Sequence, residues 1–105
     1  MGKKENKIEE IIKGIKEFKK KTMIEKVILF GSYARGKWTE HSDIDLLLIS
    51  KKFRKKEFHE RFKGLWLKWD LDYPVDFICY TPEEFNKLKK QVSIVSEALR
   101  EGIII

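Results

Sequence analysis

One cysteine, two prolines, two histidines and no apolar run approaching the roughly 18 to 20 residues of a membrane helix mark this 105-residue chain. Each scarcity removes a class of protein. Cys79 has no second cysteine for an internal disulfide and no partner at metal-ligand spacing, so within the run VDFICY it reads as a buried apolar filler rather than a catalytic thiol. His41 and His59 fall in an expected loop and an expected helix, without zinc-like spacing. No Pro/Gly/Ser-rich break divides the chain, which predicts a single domain over residues 1–105 with no linker. The opening MGKKENKIEE is charged and lacks a signal-peptide core, which makes the cytoplasm the expected location and leaves no membrane partner.

Charge is what the chain has in quantity. Charged residues make up 38% and hydrophobic residues 42%, the balance of a soluble globular protein. Twenty-three Lys and Arg against 17 Asp and Glu leave a formal charge of +6, which favours a polyanionic partner: a nucleotide, RNA or an acidic protein. Composition does not choose among them. The charge runs at 19–21, 51–56 and 87–90 carry no aromatic interleaving of an RNA-binding kind and read as solvated faces.

Apolar periodicity orders the elements. Ile8, Ile11, Ile12, Ile15 and Phe18 predict an amphipathic helix over about Glu5 to Lys20. Ile24 to Phe30 reads as a first strand ended by Gly31, after which Ser32 is expected to cap a short helical turn through Arg35. Ile44 to Ser50 is a second, central strand. Phe58, Phe62, Leu65, Trp66 and Trp69 suggest a second amphipathic helix ending near Pro74, and Val75 to Tyr80 a third strand. Thr81-Pro82-Glu83-Glu84 opens a last helix, striped by Phe85, Leu88, Val92, Val95 and Leu99 and stopped at Gly102. The expected fold is α/β: a mixed sheet of at least three strands flanked by helices, with strands two and three parallel through a right-handed crossover.

The most informative stretch is Gly31-Ser32-Tyr33-Ala34-Arg35-Gly36-Lys37-Trp38-Thr39-Glu40-His41-Ser42-Asp43-Ile44-Asp45, directly ahead of the apolar run Leu46 to Ile49. With a side-chain period of two, Asp43 and Asp45 point to one face of a strand. Parallel pairing would bring Asp76, at the head of the third strand, to the same sheet edge, and an antiparallel first strand would deliver Gly31-Ser32 there too. Like-charged carboxylates held together repel unless cations neutralise them, and oxygen-only donors suit hard ions such as magnesium, with manganese as an alternative. Asp43, Asp45 and Asp76 are therefore the candidate metal ligands and catalytic acids. Gly31 would let backbone approach phosphates, Ser32 offers a hydroxyl and an N–H, and Arg35 a charge-assisted contact.

Gly-Ser, ten residues, Asp-x-Asp and a strand-borne Asp about thirty residues later resemble the minimal nucleotidyltransferases of the DNA polymerase β superfamily. More narrowly, the chain from Ile24 to about Gly102 resembles the antitoxin half of MNT/HEPN toxin–antitoxin pairs. The resemblance implies a polymerase-β-like fold, a nucleotide-binding turn at Gly31 and Ser32, and catalytic metal ligands at Asp43, Asp45 and Asp76. It also implies two magnesium ions, ATP as donor, and a tyrosine of a partner HEPN ribonuclease as the acceptor of AMP, in a homo- or hetero-oligomer.

Other readings stand beside this one. A binding module that occludes its partner without catalysis, or a transferase directed at RNA, would suit the same charge and motif. Asp70 and Asp72 form a second Asp-x-Asp, but at an expected helix terminus they read as solvated. Arg35 is equally suited to a phosphate or a surface salt bridge, and Trp38 to covering an adenine or meeting a partner. Trp66 and Trp69 follow the expected helix stripe and read as core. Ile103-Ile104-Ile105 would be an association liability if exposed, which predicts an edge strand or a docked segment.

Overall fold

The computed structural model describes residues 3–105. Its strands β1 (Lys26–Phe30), β2 (Ile44–Ile49), β3 (Val75–Tyr80) and β4 (Ile103–Ile104) form one mixed sheet in the order β3-β2-β1-β4. β2 and β3 are parallel, while β1 is antiparallel to both β2 and β4. The isoleucine triplet at the C-terminus therefore supplies an edge strand, and Ile105 N–H continues the pairing to Val27 O at 2.9 Å.

Strand alternation splits the core in two. Val27, Leu29, Leu46 and Leu48 face Ile11, Ile15 and Phe18 of helix α1 (Lys3–Thr22). Ile28, Leu47 and Ile49 face Phe85 of α3 (Pro82–Leu88) and Val95 and Ala98 of α4 (Ile94–Glu101). α2 is the single turn Gly31–Ala34. Because apolar residues on both faces of β1 and β2 are covered, these strands read as continuous hydrophobic runs. Cys79 belongs to the first cluster, and burial pushes its thiol up to about 12, in keeping with a filler.

Three expected elements differ. The helix expected over Phe58 to Trp69 is a chain of 3₁₀ turns, Phe58–Glu60 and Leu65–Lys68, interrupted by Gly64 at φ +84°. Its cause is tertiary: the buried Arg61 guanidinium bonds Lys56 O, Cys79 O and the Glu84 carboxylate, which fixes the segment against β3 and α3 at the expense of helical continuity. The aromatic stripe consequently fails to bury. Trp69 packs edge-on against Phe18 and donates its indole N–H to Tyr73 O, but Phe62 and Trp66 remain 40% and 49% exposed, so Trp66 is not the core residue expected of it.

The last helix is two. Thr81 caps α3 as expected, and the structure adds a reciprocal capping box with Glu84. Ser93 then donates to Leu88 O at 2.7 Å and caps α4, a local alternative that ends one helix and starts the next. Val92, expected on the buried stripe, lies in the break and is fully exposed. Ser32, finally, sits inside α2 rather than capping it; Phe30 holds the cap position, with no side-chain bond.

Candidate functional site

The site begins with where β1 and β2 point their polar ends. β1 exits at Phe30, opposite Asp45 in the antiparallel register, and Gly31 turns the chain at φ +76°. A β-carbon at Gly31 would overlap the Asp45 carboxylate, so the turn and the acid lie in van der Waals contact only because residue 31 has no side chain.

Across the sheet, Asp45 and Asp76 are register partners in the parallel β2–β3 pair. Paired residues on strands about 4.8 Å apart project to the same face, here the face covered by α4. Asp43 lies just before β2, and the bond from Ile44 N–H to Pro74 O at 2.8 Å holds the heads of the two strands together. Asp45 is half-buried, whereas Asp43 and Asp76 are exposed. Burial, then the neighbouring Asp76 and Asp43 charges, push the Asp45 carboxyl above its ordinary value, and Arg35 opposes them. Asp76, Asp43 and Arg35 thus each act electrostatically on Asp45.

The loop between the motif halves is anchored by aromatic stacking that sequence reasoning did not single out. Buried Tyr33 stacks on Trp38, with ring centroids 5.0 Å apart and planes 13° from parallel, and meets Tyr73 edge-on. Trp38 is therefore part of the support beneath the turn. Thr39 and Ser42 knit the remainder through the bond from Thr39 N–H to Ser42 Oγ at 2.9 Å. Arg35 reaches Glu101 of α4 at 3.8 Å, the salt bridge that was one of its two expected roles, and it also acts electrostatically on Asp45.

Profile comparison decides the family: the "Nucleotidyltransferase domain" profile matches residues 8–105. The chain belongs to the nucleotidyltransferase domain family. A curated relative, the "Putative protein adenylyltransferase MJ0141" of Methanocaldococcus jannaschii, is 39% identical over 100 residues, covering 90% of this chain and 97% of its own length. A second from the same organism, "Putative protein adenylyltransferase MJ0604", is 51% identical over 45 residues, covering 43% of this chain and 44% of its own. Among solved structures, a "putative nucleotidyltransferase" from Sulfolobus solfataricus superposes with a TM-score of 0.68 over 99% of this chain and 87% of its own, at 23% identity, which shows a shared fold. The chain is accordingly a nucleotidyltransferase in a mixed α/β fold, and among its described residues no helix is long and apolar enough to cross a membrane.

In this nucleotidyltransferase the acids fit a hard divalent ion by donor chemistry. Among the described residues no three His, Cys, Asp or Glu side chains already surround a common point. Magnesium does not demand a closed cage; it is commonly held by one or two carboxylates, with water and substrate phosphates completing the octahedron. Burial and then the Asp76 and Asp43 charges raise the Asp45 pKa, and a bound cation would relieve the repulsive part of that cost. Of the other candidates, Asp70 pairs with Lys21 on the surface, and the His41 side chain is 89% exposed.

A cavity of about 290 Å³ adjoins Asp76 and is lined by Phe62, Trp66 and Phe77. Phe62 and Trp66 were read from sequence as helix-stripe residues; only the 3₁₀ path of their segment puts them here.

Proposed function

We propose that the protein transfers AMP from ATP, with magnesium, to a hydroxyl of a separate macromolecule, and that the acceptor is a tyrosine of a partner HEPN ribonuclease, which the modification silences. The observation that carries this is the Asp45–Asp76 register pairing with Gly31 packed against Asp45. It brings the side-chain-free Gly31 turn against one of two carboxylates that share a face of the sheet.

Each residue has a task in this reading. Gly31 and Ser32 receive the triphosphate, Arg35 lends positive charge, and Asp43 and Asp45 hold the metal, with Asp76 completing the acceptor side. When bound, magnesium neutralises the phosphates and lowers the pKa of the attacking hydroxyl. The acceptor oxygen bonds to the α-phosphorus and the bond from that phosphorus to the bridging oxygen breaks. Pyrophosphate leaves with the electron pair, and the hydroxyl proton passes through the Asp76 carboxylate to solvent.

Incubation with α-labelled ATP, magnesium and the product of a neighbouring HEPN-type gene tests the reading. Label is expected on the partner protein, and none with Asp43→Asn/Asp45→Asn. Equal labelling by the double variant would remove the catalytic assignment; labelled RNA would redirect the acceptor; partner inhibition that persists without ATP would favour occlusion.

A further inference from the structure

We propose that the lysine-lined pocket between the end of α1, the exit of β2 and the crossover to β3 binds a compact phosphate group. The group is free phosphate, pyrophosphate or the tail of a nucleotide. This site is separate from the carboxylates and does not depend on the roles given to Asp43, Asp45 and Asp76.

Position sets it apart. β2 runs from Asp45, beside the Gly31 turn, to Ile49 at the far end of the sheet, and the chain carrying Lys52, Phe53 and Lys56 continues from there. Four extended residues separate the two ends by about 13 Å. The faces differ as well. Leu46 and Leu48 pack on the α1 side, whereas Asp45 alternates with them and shares the α4 side with Leu47 and Ile49. Phe53 and Leu65, which line the pocket, belong to the α1 side. A ligand held here is at the other end and on the other face of the sheet from the acids.

Chemistry narrows the occupant. Lys52, Lys56, Lys63 and Lys68 line a cavity of about 200 Å³, and among the described residues no Asp or Glu lines it. None of the four pairs with a described carboxylate. Two are held by neutral partners instead: Lys52 Nζ donates to Thr22 O and Lys68 Nζ to Lys21 O at 3.3 Å, at the carbonyl end of α1. Those bonds place the ammonium groups without cancelling their charge. The backbone around them is fixed too, because the buried Arg61 guanidinium donates to Lys56 O and Gly64 turns the crossover at φ +84°. Four like charges around so small a space repel one another, and an anion between them offsets that cost. Compactness selects phosphate. A phosphate monoester carries about 1.5 to 2 negative charges on one group, whereas an acidic peptide or an RNA strand spreads its charges along a chain and calls for a track. Phe53, the one ring in the lining, is buried and offers no face on which a base could stack.

The ¹⁵N-labelled chain titrated with pyrophosphate in metal-free buffer provides the test, read by NMR. Shifts are expected at the Phe53, Gly64 and Leu65 amides with about millimolar affinity, and equally in Asp43→Asn/Asp45→Asn. Inorganic phosphate and metal-free ATP are the companion titrations, and whichever anion moves these amides at the lowest concentration identifies the source of the phosphate. Lys56→Gln/Lys63→Gln should weaken binding by about tenfold, and Lys56→Arg/Lys63→Arg should retain it because the charge remains. In the parent protein the affinity should fall as salt is added, since exposed charges are screened over about 10 Å at 0.1 M ionic strength. No response at the three amides, a response insensitive to salt or to the glutamine substitutions, or its loss in the aspartate variant would each overturn the proposal. So would a single-stranded RNA or a polyglutamate peptide that displaces pyrophosphate at a lower concentration of negative charge, because the pocket would then be part of a macromolecular surface.

Discussion

Gly31 and Asp45 occupy adjoining space so closely that a β-carbon on one would overlap the carboxylate Oδ2 of the other. The left-handed φ of +76° at Gly31 adds a second demand for glycine. Gly31→Ala should therefore lose about 1–3 kcal/mol of stability, the cost of a strained backbone position. It should also displace Asp45 and abolish nucleotide transfer. Thermal unfolding together with ATP binding checks this, and a variant that binds ATP normally would show that the turn does not seat phosphate.

Asp45 is held against its own electrostatics. Burial, Asp76 and Asp43 raise its pKa, so the fold binds the Asp45 proton more tightly than the unfolded chain does. The sign follows from linkage: the proton's stabilising contribution is present below the unfolded value and lost as pH rises through the folded one. Asp45→Asn should thus raise the metal-free midpoint at neutral pH by about 2–4 °C while eliminating activity. Magnesium should stabilise the native protein and do less for the variant. A variant less stable than the parent at neutral pH would contradict the repulsion.

How far these features were legible depended on the range of the interaction. The apolar run Leu46 to Ile49, the helix start at Thr81-Pro82 and the Gly31 turn are local, and each is found where its residues predict. Parallel pairing of β2 with β3 followed from connection rules, and it carried Asp76 to Asp45. The path of residues 58–69 was not legible, because a buried guanidinium bonded to residues up to 23 positions away overrides a 3.6-residue periodicity. Ser93 was missed because its competing bond to Leu88 O has no signature beyond a serine in a helical stretch.

Glu25 gives the opposite pH sign to Asp45. Burial works to raise its pKa, but bonds from Lys51 N–H and the Ser50 hydroxyl, each 2.8 Å, outweigh it and hold the carboxyl below its ordinary value of 4.5. This contribution is present above the unfolded pKa and lost as pH falls through the folded one. Because Glu25 is exposed and screened, Glu25→Gln should cost only about 0.5–1 kcal/mol at neutral pH. The difference between the two proteins should shrink on acidification. Chemical denaturation across that range measures it, and a gap that widens with acid would refute the assignment.

Arg61 is the residue on which the aromatic cavity depends. Its side chain is 8% exposed, and its guanidinium reaches Glu84 at 2.5 Å, Cys79 O at 3.1 Å and Lys56 O at 3.2 Å. No apolar replacement can satisfy those acceptors, and Glu84 would keep a charge whose pKa Arg61 now helps to hold down against the effect of burial. Arg61→Ala should cost about 3 kcal/mol, toward the lower end for removing one partner of a buried pair since Glu84 is partly solvated. It should free the segment carrying Phe62 and Trp66, so that limited proteolysis cuts between residues 57 and 69 well below the unfolding temperature. Arg61→Lys should recover little, because one ammonium cannot reproduce three directed contacts. Because this segment is tied to the edge strand β3 while Asp45 lies on β2 and Gly31 follows β1, nucleotide binding should survive in the folded fraction of Arg61→Ala, and equal loss of ATP affinity would mean that the two sides of the site do not separate as the strand order implies.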